Sequence, residues 1–329
     1  MKAHKPNRDN PYILTDRETF NNCIAKLDAS PFSDEEGFFG PDSISWKVFR
    51  EPCILLGGYR AVFLQMAHPA VAQGVEQSSS FRHDLVGRTK RTITAMYSLI
   101  FGSKATSLGA ATAMHNIHHQ VFGTVPDNVD SSWAGKPFRA NDPELIHWVG
   151  TTTLHTILVM FECFIRKLDP VERTQFANEM KIVAFLCGLP TPYHNDGTLE
   201  SLDRMFKDVL ASDQLAVGDV AVGIADDLLN FVPGSLDAKL TFGLLPPVIR
   251  DLYGINWTEK EQKAHEKVVA RISFLNRSIP RTFRYVPAYH QAVARVEKGK
   301  NQNSGKGPRT NSRNEQANQF YMKFFGMNG

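Results

Sequence analysis

Paired cysteines are missing from this sequence of 329 residues. Cys23, Cys53, Cys163 and Cys187 lie far apart without paired spacing, so neither a disulfide framework nor a zinc ribbon is expected, and a reducing, cytoplasmic setting is the simplest expectation. A membrane-spanning run is missing too. The most apolar stretch, Val149 to Ile165, is short, rich in threonine and interrupted by His155 and Glu162, which predicts a buried helix and no transmembrane segment. The polar Met1 to Tyr12 stretch has no apolar centre, so no secretory leader is expected. Sustained period-2 alternation is lacking, and strands are not expected. Gly57-Gly58 stands without the third glycine of a dinucleotide loop or the Gly-Lys-Ser/Thr of a phosphate loop, which leaves close packing or a tight turn as its use. A large charge imbalance is absent as well. The formal net charge is +3, and Lys298, Lys300, Lys306, Arg309 and Arg313 against Glu315 outweigh it, so the body is near neutral and nucleic acid is not its expected partner.

What is present is enough for a sizeable core: 42% of residues are hydrophobic and 10% aromatic, which excludes a disordered chain. The pattern predicts an all-α fold, a multi-helix bundle. Thr15 is placed to cap a helix through Leu27, and Pro41-Asp42-Ser43 to open one carrying Ile44, Trp46, Val48 and Phe49. Asn141-Asp142-Pro143-Glu144 opens the long apolar helix, which is expected to end near Lys167. Further starts are expected after Asp169-Pro170, at Thr198, Val248, Thr258 and Pro287. Three regions follow: a flexible N-terminus (1–11), a single helical body (12–296), and a low-complexity basic tail (297–329) whose Phe320 to Phe325 end is apolar. Docking of that end on the body is the least demanding use of it.

The stretch from Arg88 to Gly123 carries the chemistry. Ile93, Met96, Tyr97, Ile100 and Phe101 repeat as one face of a helix, and on its flank Arg88, Arg91 and Thr92 stand at i, i+3 and i+4, so two guanidiniums and a hydroxyl converge. In the next segment Ala110, Met114, Ile117 and Val121 are expected to line one face, with His118 inside that stripe. Such a histidine is either a core residue satisfied by a backbone carbonyl or a neutral ligand to a metal or haem. Ala105, Gly109, Ala110, Ala111 and Ala113 upstream would admit a flat cofactor or another helix. His115 and His119, one turn apart, have the spacing of a non-haem metal pair, for which a carboxylate must come from elsewhere, such as Asp84 or Glu144. A third reading is a non-enzymatic carrier of an apolar molecule. His68, before Pro69, is expected to be structural.

Several motifs occur in an order that resembles one family: Gly57-Gly58-Tyr59-Arg60-Ala61, Leu64 to Val71 with His68-Pro69, Ser80-Phe81, Arg88 to Thr92, Phe101-Gly102, His118 to Gly123, Asp142 to Leu145, and Trp148-Val149. A weaker likeness runs through Leu244-Leu245-Pro246-Pro247 to about Ala294. The chain resembles the oxygenases that include the latex clearing protein (rubber oxygenase) and the MpaB-type oxygenase. The resemblance implies a helical fold with a globin-like core, a haem b, and O₂-dependent cleavage of a carbon-carbon double bond in an apolar, isoprenoid-type substrate. It implies His118, in a His-x-x-Val-x-Gly pattern, as proximal iron ligand, with Met114 and Arg88 at the cofactor. Arg88, Arg91 and Thr92 are the implied catalytic donors, with a haem propionate as the other destination for either arginine. Arg91 stands where the family's motif has a lysine, and a guanidinium is a poor ligand, so the distal position is either open or closed by another residue. Gly150 stands where many relatives have a histidine. Glu76 is the candidate base for an allylic proton, or else an exposed helix-end carboxylate.

Overall fold

A computed structural model describes residues 17–77, 84–189, 197–231, 235–280 and 284–303. The expected flexible N-terminus, Thr15, Ser80-Phe81 and the apolar end of the tail lie outside the described residues. Within them the chain is all-α, as the pattern predicts, with one two-stranded ribbon. The helices are α1 (Arg17–Asp28), α2 (Ile44–Phe49), α3 (Gly58–Met66), α4 (Pro69–Gln77), α5 (Leu85–Phe101), α6 (Lys104–His119), α7 (Pro143–Phe164), α8 (Pro170–Leu186), α9 (Leu199–Leu210), α10 (Asp219–Phe231), α11 (Ser235–Leu244), α12 (Pro247–Leu252), α13 (Glu259–Ser278) and α14 (Pro287–Asn303).

Local chemistry sets most starts. Ser43 accepts from the Trp46 amide and caps α2. Asp169 and Glu172 form a reciprocal capping box on α8, and Thr258 and Glu261 form another on α13. Thr198 caps α9 through the Ser201 amide. Each satisfies amides that the first helical turn leaves without a carbonyl.

The apolar helix α7 is the axis of the core. It packs against the 3-10 turn Pro52–Gly57, α2, α3, α9 and α13, and buries Trp148, Thr152, Ile157, Met160, Phe161 and Phe164. Gly57 lets the 3-10 turn meet it: a Cβ there would lie 2.5 Å from Thr156 Cγ2 and 2.8 Å from Met160 Cγ. Thr156 cannot rotate away freely, because its hydroxyl accepts a 2.5 Å hydrogen bond from Arg60 Nη1. The φ of Gly57 is −78°, so the glycine is required by space and not by backbone conformation. Gly57→Ala is expected to cost about 1–3 kcal/mol through overpacking, read as a lower midpoint in urea or thermal melts.

Two features depart from the sequence expectation. Phe122–Thr124 and Pro137–Arg139 pair antiparallel, Phe122 opposite Arg139; three residues per strand are too few for an alternation to be visible. Helix α14 continues past Glu297, where composition places the start of the tail, to Asn303. The continuation is tied down at Arg295, which donates to Glu35 O at 2.8 Å and Phe101 O at 2.6 Å, and at Gly299, where a Cβ would meet Glu35 Cγ at 2.7 Å. Lys300 Nζ lies 3.9 Å from Glu36, and its charge also suits the negative end of the helix.

Candidate active site

Helices α5 and α6 form a tight hairpin. Ser103 caps α6 through the Thr106 amide at 3.1 Å, and Ser107 Oγ reaches back to Ser98 O at 3.0 Å and Leu99 O at 3.2 Å. Those bonds occupy the last carbonyls of α5 and turn Ser107 inward. The burial phase of α6 follows from that: Lys104, Ser107, Ala111 and His115 are buried toward α1 and α8, whereas Ile117 is 65% exposed. The stripe Ala110, Met114, Ile117, Val121 expected from the sequence is therefore not the buried face. Small residues on the Ser107/Ala111 side allow the closer helix approach and decide the phase.

His115 is the core histidine of this helix. It is 3% exposed and stacks on Phe20 of α1 at 4.0 Å and 8°, while its carbonyl accepts from Asn141. Its ring centroid is 6.4 Å from that of the exposed His119. Glu144 and His147 make one Glu-x-x-His spacing at the start of α7, but a carboxylate-bridged iron site needs two. Among the described residues no three His, Cys, Asp or Glu side chains converge, and Asp84, expected as a third ligand, is held by the Gly87 amide at 2.8 Å and by Arg91.

His118 follows on the same side of α6, half-buried. Burial, then the neighbouring His115 and the Arg88 guanidinium, lower its pKa to about 4, so the imidazole is neutral at pH 7. No hydrogen bond to its ring is present among the described residues. Arg88, also half-buried, approaches Val75 O of α4 at 3.4 Å, and burial followed by the nearby Arg91 charge lowers its pKa. Glu76 is the next residue after that carbonyl and is half-buried. Met114, one turn before His118, is half-buried as well.

Not all of the expected cluster assembles. Arg88 and His118 are close enough to influence one another electrostatically, but Arg91 turns away to Asp84 at 3.0 Å and its side chain is 61% exposed. Asp84 is the N-cap of α5, so the anion placed at the positive end of the helix captures the guanidinium. Thr92 is exposed. The convergence of two guanidiniums and a hydroxyl thus reduces to Arg88 alone.

The catalytic-domain family described as ER-bound oxygenase mpaB/B'/Rubber oxygenase matches residues 46–274, more than two thirds of the chain. The chain belongs to this family. The match runs from within α2 through most of α13, so every residue of the α4, α5 and α6 cluster falls within the MpaB/rubber oxygenase domain. No curated protein and no solved structure matches the chain. The family description includes ER-bound members; among the described residues no helix is long and apolar enough to cross a membrane.

Sequence reasoning missed Arg60, which the glycine pair beside it disguised as part of a turn. It is 2% exposed, donating from Nε to Leu244 O at 2.8 Å, from Nη1 to Thr156, and from Nη2 to His155 Nδ1 at 3.1 Å. A guanidinium only donates, so His155 Nδ1 accepts and is unprotonated. Burial, then Arg60, lower the His155 pKa to about 4, and burial lowers that of His68 to about 3. His68, expected to be a structural hydrogen-bonding histidine, has no partner for either ring nitrogen among the described residues and packs edge-on to Trp133 at 5.1 Å.

These three histidines set a pH dependence. Each has a folded pKa below the unfolded value of roughly 6.5, so the unfolded chain binds more protons between those limits. Stability is complete above about pH 6.5 and falls as pH drops toward 4, by at most about 1.4 kcal/mol per pH unit for each imidazole. Urea melts at pH 7, 5.5 and 4.5 should show a falling midpoint, and a flat midpoint across this range would contradict neutral burial of His68, His118 and His155.

Proposed function

We propose that this chain is a haem b-dependent oxygenase that uses O₂ to cleave a carbon-carbon double bond of an apolar, isoprenoid-type small molecule. The observation that carries the reading is His118: a neutral imidazole with no hydrogen bond to its ring among the described residues, within electrostatic reach of the Arg88 cation, inside the family's catalytic domain. These residues fit the group. A ligand to haem iron must be unprotonated, and a pKa near 4 keeps the His118 lone pair available at pH 7. Porphyrin carboxylates and polarised oxygen both require a cation, and Arg88 stays charged at any working pH.

Haem b, when bound, supplies the redox-active iron that activates O₂. The chain supplies the rest. His118 holds the group from α6, and Arg88 offsets negative charge. Glu76, the residue after the carbonyl that Arg88 approaches, is the candidate base for a proton on the allylic carbon.

Purification after expression with a haem precursor, followed by an absorption spectrum and O₂ uptake with an isoprenoid alkene, tests the proposal. An intense Soret band and alkene-dependent O₂ uptake are expected. A chain that stays colourless when haem is supplied would overturn it, returning His118 to the role of a core histidine.

A further inference from the structure

A cavity of about 480 Å³ lies between the C-terminal ends of α2, α7 and α13 and shares no residue with the α4, α5 and α6 cluster. Phe161, Phe164, Ile165 and Ile279 give it apolar walls, and it is lined also by Lys47, Arg50, Arg166 and Arg284 against the single carboxylate of Glu51. Helix C-termini attract cations by themselves, so each donor must be accounted for in turn.

Two of the arginines are paired with carboxylates. Arg284 is 10% exposed; its Nη2 donates to Glu51 Oε1 at 2.9 Å, its Nε lies 2.8 Å from Oε2, and its Nη1 donates to Asn276 O at 3.2 Å. Arg166 binds both carboxylate oxygens of Glu172 at 2.6 Å. Arg50 and Asn276 are not so engaged. The Arg50 guanidinium lies over the Tyr285 ring at 4.3 Å and the Tyr289 ring at 5.6 Å, and among the described residues it makes no hydrogen bond or ion pair, its Nε being buried without an acceptor. Asn276 is 9% exposed, and its Nδ2 is likewise buried without an acceptor. Glu51 is the one carboxylate in the lining and its oxygens lie within 2.9 Å of the Arg284 guanidinium, so donors outnumber carboxylate acceptors in the cavity. A buried donor without a partner is costly, and stacking on two tyrosines holds the Arg50 fork in one plane while leaving its edge open.

We propose that this cavity binds a small apolar molecule headed by an oxyanion, a carboxylate or a phosphate, with Arg50 and Asn276 Nδ2 donating to the head and the phenylalanine and isoleucine walls holding the tail. The site is separate from the oxygenase site and does not rest on the haem reading. A planar guanidinium edge suits two oxygens of one head group, and the volume suits a short chain beside it.

Calorimetric titration of the full-length, haem-supplied protein with sodium decanoate, decyl phosphate and decanol tests this. Saturable binding of at least one of the two anions, with decanol failing to bind, is expected; the stronger of the two identifies the head group. Arg50→Met should weaken that anion at least tenfold. Asn276→Leu, which fills the same wall, should weaken it in parallel and guards against a folding defect in the first variant. His118→Ala should leave the affinity unchanged. Equal binding of decanol, an affinity untouched by Arg50→Met and Asn276→Leu, or loss of binding in His118→Ala would each overturn the proposal.

Discussion

His118→Ala is expected to lose essentially all bound haem and all oxygenase turnover while keeping the far-ultraviolet signal of the wild type. The imidazole is half-buried and makes no hydrogen bond within the described residues, so its removal leaves no polar group stranded and costs little stability. The loss falls on the cofactor. Even removal of groups that merely orient a metal ligand costs 10- to 100-fold in affinity, and removal of the ligand itself is expected to exceed about 100-fold. His118→Gly with added imidazole is the sharper experiment, because a free imidazole can occupy the vacated space and restore the Soret band, which no general structural role of His118 would allow. His115→Ala is the opposite control. It deletes a ring stacked on Phe20 in the core, and is expected to lower the melting temperature while leaving the spectrum of the folded fraction in place. If His115→Ala instead abolishes the band and His118→Ala retains it, the iron is held from the other phase of α6.

That reversal of phase marks where the sequence stopped being legible. The starts of α2, α8, α9 and α13 were readable because Ser43, Asp169, Thr198 and Thr258 make capping bonds to amides two or three residues away. All of that information lies within one turn. The face that α6 buries is set by α1 and α8, by the return of Ser107 Oγ to the end of α5, and by the ring of Phe20. None of these is encoded in the local periodicity of a helix rich in small residues, where a shift of one position costs little in apolar content. The position of Arg91 is similar: its spacing from Arg88 and Thr92 is local, but its destination was decided by the carboxylate of Asp84. Arg60 lay further out of reach, since its acceptors are 95, 96 and 184 residues away. His118 is singled out by its neighbours in sequence and by resemblance, and the neutrality that a ligand would need follows from burial that only tertiary structure supplies.

Glu179→Ala is expected to be the most destabilising single change in the frame that supports this site. The carboxylate is 6% exposed on α8 and accepts from Ser45 N at 2.7 Å, Ser45 Oγ at 2.5 Å, Ile44 N at 3.3 Å and Gln175 Nε2 at 2.8 Å. Burial pushes its pKa up, and these four donors oppose that rise. Two of the donors are amides at the start of α2, where the backbone offers no carbonyl in return. Alanine would leave both buried without an acceptor, at roughly 1–3 kcal/mol each, so a total near 4 kcal/mol follows. For a body of this size that corresponds to a melting temperature lower by roughly 5–8 °C. Glu179→Gln retains one carbonyl oxygen and should recover about half of the loss. The consequence reaches the candidate site through α2: Trp46 Nε1 donates to Ile100 O at 2.9 Å, fastening α2 to the end of the helix that carries Arg88. Loosening α2 should weaken haem retention in step with stability and leave the position of the Soret maximum where it is, because His118, the proposed iron ligand, is on α6. A Glu179→Ala protein that melts within about 2 °C of the wild type would show that solvent reaches the start of α2, and a displaced Soret maximum would show that α2 helps to hold the iron.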